Sequence, residues 1–208
     1  MDYFHGWFEL NIVQNYYFFC RYANFLLPLQ KILQMTNTST HYAYQEPAIE
    51  FVTVAVQTCL YLEGSAEHEK SDFIEKMLCL LPLLYLKARL LPKSTEETEG
   101  YLERFVIEQE YEDLRQVIAQ KMGSDDAYLE VFVEDMRYSD EPITAFISEN
   151  IADIYQELKD MACNYQTREE EVMRDALVNC IEAFEQHWGQ KLLNVLRPLH
   201  SLSFTCDE

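Results

Sequence analysis

From residue 47 onward the apolar side chains return every three or four positions, the period of helices that each bury one face. Pro47 and Gly64 bracket "AIEFVTVAVQTCLYLEG", which reads as a buried helix. The β-branched run Val52–Val56 imitates a strand, but the bracketed length favours a helix. Ser71 is placed to cap a second helix, "DFIEKMLCLLPLLYLKARLLP", with Asp72 and Glu75 near its positive end. Pro82 lies inside it and predicts a kink or a break. A third helix, 108–123, begins acidic, ends with Lys121 and stops at Gly123. The least helical stretch is 124–142, an ordered connection with a short extended segment near 128–133, too little for a sheet by itself. Two long helices, roughly 142–165 and 168–200, close the pattern on either side of "NYQT". The expected fold is all-α, a single-domain bundle of about five to seven helices over residues 47–205, with 35–46 as a polar lead-in.

On a wheel, Ile143, Phe146, Ile147, Ile151, Ile154, Leu158, Met161 and Tyr165 form the core stripe of the first long helix. Glu149, Asp153, Gln156 and Asp160 fall opposite and read as a solvated face. In the second, Met173, Leu177, Cys180, Ile181, Phe184, Trp188, Leu192, Val195, Leu199 and Leu202 form the core stripe, with Trp188 inside. His187 sits at its edge and shares a flank with Lys191 and Asn194, while His200 lies on the far side. His187, Lys191 and Arg197 read as partners for carboxylates on adjoining helices. Gly189 weakens the middle of that helix by about 1 kcal/mol relative to alanine, which suggests close approach of a neighbouring backbone.

Residues 1–34 break the pattern, with ten aromatic residues and only Asp2, Glu9, Arg21 and Lys31 as charges. Three readings compete: a helix packed on the domain, an interfacial anchor, or an upstream extension of a natural chain that starts at Met35. Neither a signal peptide nor a membrane span fits this segment, since Arg21 and Lys31 cut its apolar run and no cleavage pattern is present.

Composition narrows the function. A net charge of −20 disfavours nucleic acid and anionic membrane, both of which need clustered cations. The six cysteines show no C-x-x-C pair and sit mostly in apolar helical surroundings, as reduced thiols do in a cytoplasm. No metal-ligand spacing, di-iron Glu-x-x-His pair, nucleophile elbow or phosphate-cradling glycine loop occurs, so no cofactor, metal or catalytic residue is assigned.

"ISENIADIYQELKDM" and "FEQHWGQKLLNVLRPLH" resemble the C-terminal half of an uncharacterised bacterial family, domain-of-unknown-function family 5063. "IEFVTVAVQTCLYLE", "LPLLYLKARLLP" and "YLEVFVEDMRYSDEPI" extend the resemblance over most of residues 47–200. It implies an all-helical soluble protein and carries no activity. The candidate binding surface comprises Asp153, Tyr155, Asp160, His187, Lys191 and Arg197, with His200 beside them. The leading expectation is a cytoplasmic protein that acts through a protein partner or self-association. The alternative is an enzyme or small-molecule binder with its site between the last two helices. An exposed apolar groove favours the first, and an enclosed pocket holding Asp153 or Asp160 with His187 favours the second.

Overall fold

A proline ring pre-sets the first helical turn and forfeits no intrahelical donor there, and Pro47 accordingly opens α1 (Glu46–Glu63) in the computed structural model, which describes residues 41–93, 101–130 and 143–205. Expectations for residues 1–34, for the first half of the lead-in (35–40) and for 131–133 lie outside the described residues. All described residues belong to one compact unit, His41–Glu208. Nearly the whole circumference of α1 is buried, Val52, Val54 and Val56 included. Thr58 survives there because its hydroxyl donates to the Val54 carbonyl at 2.8 Å.

Helix α2 (Lys70–Leu90) corrects two expectations. Ser71 does not cap it: the helix begins one residue earlier, behind Glu69, and no side chain caps its start. Nor does Pro82 break it. That residue is exposed, so the lost hydrogen bond falls on the solvent side, where water can replace it. Helix α3 (Glu108–Met122) ends as expected at Gly123, whose φ of 61° only glycine adopts without strain.

The extended segment finds a partner after all. Strand β1 (Ala127–Leu129) pairs antiparallel with β2 (Thr144–Phe146), Tyr128 opposite Ala145. The next helix, α4 (Ile147–Tyr165), therefore starts later than its wheel implied. Ile147, Ile151, Ile154, Leu158, Met161 and Tyr165 are buried as expected, whereas Ile143 and Phe146 belong to the hairpin and are exposed. Asp126 holds the start of α4: its carbonyl accepts from Ile147 N at 2.9 Å, and its carboxylate accepts from Ser148 N and Oγ at 2.8 and 2.7 Å.

Around α4 pack α1, α3, α5 (Glu170–Ala183) and α6 (Gly189–Thr205), while α2 packs on α1 and α6. Thus the described residues form a helical bundle with one small hairpin. Tyr165 fastens the chain before α1 to the centre by donating to the buried Ala43 carbonyl at 2.6 Å.

Between α5 and α6 the rod continues through a π turn, Phe184–Trp188. Its cause lies in the spacing of the core residues. Cys180, Phe184, Trp188 and Leu192 are each four apart, a drift of about 120° on a uniform α-helix. One widened turn removes most of that drift, so Trp188, Leu192, Val195 and Leu199 all remain buried. The Trp188 indole N–H donates to the Cys180 carbonyl at 2.9 Å, and its ring meets Phe184 edge-on at 4.7 Å.

Gly189 closes this turn. A Cβ there would lie 2.5 Å from the Phe184 carbonyl oxygen and 2.8 Å from its ring. The close approach therefore comes from the turn just before it. Gly189→Ala should lower the stability of the protein by about 1–3 kcal/mol in urea unfolding, although alanine is the better helix former. A gain in stability would refute this account of the π turn.

Candidate functional site

The six residues singled out in the sequence separate into several places. Asp153 of α4 accepts from Tyr111 Oη of α3 at 2.9 Å and from Lys191 Nζ of α6. Burial and the Asp153 charge push the Tyr111 phenol well above its ordinary range, so it stays a donor. Asp160 accepts from the backbone N–H groups of Phe105 and Val106 at 2.7 and 2.9 Å. Asn164 holds the same stretch by bonding both backbone groups of Glu103. These side chains are thus not the solvated face that the wheel suggested. They are the means by which α4 fastens α3, α6 and residues 103–106.

Tyr155 points the other way. It donates to Glu63 at 3.1 Å beside the Lys159–Glu63 ion pair at 2.6 Å. His187 is exposed on the π turn. Arg197 is exposed on α6, and among the described residues no hydrogen bond or ion pair engages its side chain.

Next to Asp160 a cleft of about 350 Å³ opens between α4, α5 and residues 102–104, with Gln156, Glu157 and Asn179 on its walls. His187 does not line it, and Asp160 is occupied by backbone donors. Glu157 is half-buried and has no hydrogen-bond partner among the described residues. Burial raises its carboxyl pKa, and the charges of His187 and Arg104 offset that rise only in part. No group of three or more His, Cys, Asp or Glu side chains placed to hold a metal occurs among the described residues. No helix among them is long and apolar enough to cross a membrane.

The larger openings flank α6. A groove of about 880 Å³ lies between α6 and the Ser124–Leu129 stretch, and another of about 750 Å³ lies between α6 and α2. Leu193, Arg197 and Ser201 stand between the grooves and line both. The outer face of α6 thus carries a second apolar stripe, Leu193, Leu196 and Phe204, besides the buried one of Leu192, Val195 and Leu199. On α2, Leu78 and Pro82 line the groove, and the row Cys79, Leu83, Leu86 and Leu90 is exposed further round the same helix. Leu86 is 52% exposed, Leu90 56% and Phe204 70%. A helix apolar on two sides is expected to be covered on both.

Of this face the sequence reading caught only Arg197 and His200. The missed signal is the distribution of acid. No Asp or Glu occurs from Lys76 to Thr95, nor from Gln186 to Cys206, in a chain with 36 acidic residues. These two windows contain most of α2 and nearly all of α6, which pack side by side.

Glu157 supplies a check on the cleft. Its folded-state pKa lies above the unfolded one, so its charge opposes folding above the folded pKa, and that cost fades as pH falls toward the unfolded value. Glu157→Gln should therefore raise the melting temperature at about pH 8, with the gain shrinking toward about pH 4. A uniform loss across that range would mean that the carboxylate is a needed partner.

The comparisons agree with the geometry. The crystal structure of protein BF1032 from Bacteroides fragilis superposes with a TM-score of 0.70 at 40% sequence identity, covering 77% of this chain and 94% of that one. A search of the curated proteins found no match. The family model of the domain of unknown function DUF5063 matches residues 42–205, from the turn before α1 to the end of α6, and the chain belongs to that family.

Proposed function

We propose that this chain is a protein-binding module whose docking surface is the outer face of α2 and α6. The observation that carries this reading is the groove between α6 and α2, lined by Leu193, Leu196 and Phe204, with Leu83, Leu86 and Leu90 exposed on the same α2. Apolar side chains scattered singly over a surface need no explanation, but a contiguous face does. Asp153, Asp160 and Lys191 serve this reading indirectly, since they fix α6 and its neighbours to α4. Arg197 contributes at the docking face itself.

A second reading rests on the Glu157 cleft, whose unpaired Gln156, Glu157 and Asn179 suit a small polar ligand. The cleft has less than half the volume of either α6 groove, and Asp160, which lines it beside Glu157, is held by the backbone donors of Phe105 and Val106. The docking reading is preferred.

It is tested by Leu86→Glu and Leu193→Glu. Both positions are exposed, so each variant should unfold within about 0.5 kcal/mol of the parent. A photo-crosslinking residue at position 86 or 193, introduced in the native host, should give a discrete protein adduct. Each glutamate variant should remove that adduct when it is placed at the other position. Undiminished adducts in stable variants, or none at either position, would defeat the proposal.

A further inference from the structure

We infer that the occupant of the α2–α6 face is an acidic amphipathic helix of another protein, with apolar side chains on one face and carboxylates along its flanks. This rests on the docking reading above and adds the chemistry of the partner.

Charge is the first argument. The net charge is −20, yet two windows, Lys76 to Thr95 and Gln186 to Cys206, which hold α2 beyond Glu75 and all of α6, lack a single carboxylate. Within them Lys87, Lys93 and Lys191 are paired with Glu50, Glu185 and Asp153. Lys76, Arg89 and Arg197 are exposed, and among the described residues their side chains have no hydrogen-bond or ion-pair partner. Helical spacing puts Arg89 on the same flank of α2 as Leu78 and Pro82, which line the groove facing α6. Arg197 lines that groove from the other side. The apolar floor is thus edged by cations whose countercharge is missing. Such edges select a partner and its register more than they add affinity.

Shape is the second. Seventeen residues of α6 span about 25 Å, room for a helix of about four turns lying in a groove beside it. Anchors at steps of three and four residues are the usual way in which such a groove holds a helix. The same face on a second copy is a poor match. In a two-fold dimer each patch meets its own kind, so Arg197 and Arg89 would face cations and no carboxylate. A bilayer fits no better, because anionic lipid repels a chain of this net charge and a flat surface cannot fill a groove.

The experiment uses the full chain and two designed 16-residue peptides with one shared pattern of leucines at i, i+3, i+4 and i+7. One carries glutamates on the flanks, the other lysines. Fluorescence anisotropy should show the glutamate peptide binding at least about tenfold more tightly at low salt, as attraction to Arg89 and Arg197 and their repulsion of the lysine peptide allow, with the advantage falling in high salt. The double variant Arg89→Glu/Arg197→Glu should reverse the preference, and Leu193→Glu should weaken both peptides. Equal binding of the two peptides, or tighter binding of the lysine peptide, overturns the inference. So do self-association in sedimentation velocity that Leu193→Glu abolishes, and binding through this face to phosphatidylserine vesicles. The crosslinked segment separates the two claims. A basic or neutral segment captured at position 193 leaves the docking face standing and removes the acidic partner, whereas loss of all adducts removes both.

Discussion

The seating of Gly189 against the Phe184 carbonyl decides which way α6 faces. The four-residue spacing from Cys180 to Leu192 would carry a uniform helix about a third of a turn out of register. Cys180 and Leu192 would then lie about 120° apart, wider than one apolar stripe. Widening one turn restores the register, and the Trp188 indole and Phe184 ring pack into the space it makes. The same correction fixes the opposite side of the rod. With Leu192, Val195 and Leu199 turned inward, Leu193, Leu196 and Phe204 are turned toward the groove that α6 shares with α2. Core and outer apolar face are thus set by one local distortion.

The second constraint is that α4 has neighbours all round. A helix so placed has little side free for charge beyond its first turn, where Glu149 is exposed, yet this one also carries Asp153 and Asp160. Each is compensated by a donor from a different element: the Tyr111 phenol and Lys191 ammonium for Asp153, backbone N–H groups for Asp160. Half-buried carboxylates with several donors lose little on leaving water, and their bonds have direction that apolar contacts lack. They fix where α3, α6 and residues 103–106 lie along α4.

Charge is segregated as well as paired. Acid dominates the chain, yet α2 beyond Glu75 and α6 throughout are free of it. Solubility accounts for a large net charge but not for two adjoining helices without acid and with leucines in water. The proposed docking would account for both, since carboxylates on that face would repel an acidic partner before its apolar side chains reached the groove.

The sequence by itself determined that the chain from Pro47 onward folds as packed helices. It also determined where most of them start and stop, and that Trp188, Tyr165 and Ile151 are interior. These are local matters of period, proline and glycine, which a linear pattern records directly. Ser71 misled because several polar residues precede α2, and the chain chose an earlier start than the best cap. Phe146 misled because a three-residue strand and the end of a helical stripe look alike until a pairing partner is known. Only the tertiary structure decided that Asp153 and Asp160 fasten helices rather than face water, that Gly189 answers to its own preceding turn, and that α6 keeps a second apolar stripe uncovered. Each of these depends on what lies opposite a residue in space, and the periodicity of one chain reports how a helix is divided into faces, never which neighbour each face meets.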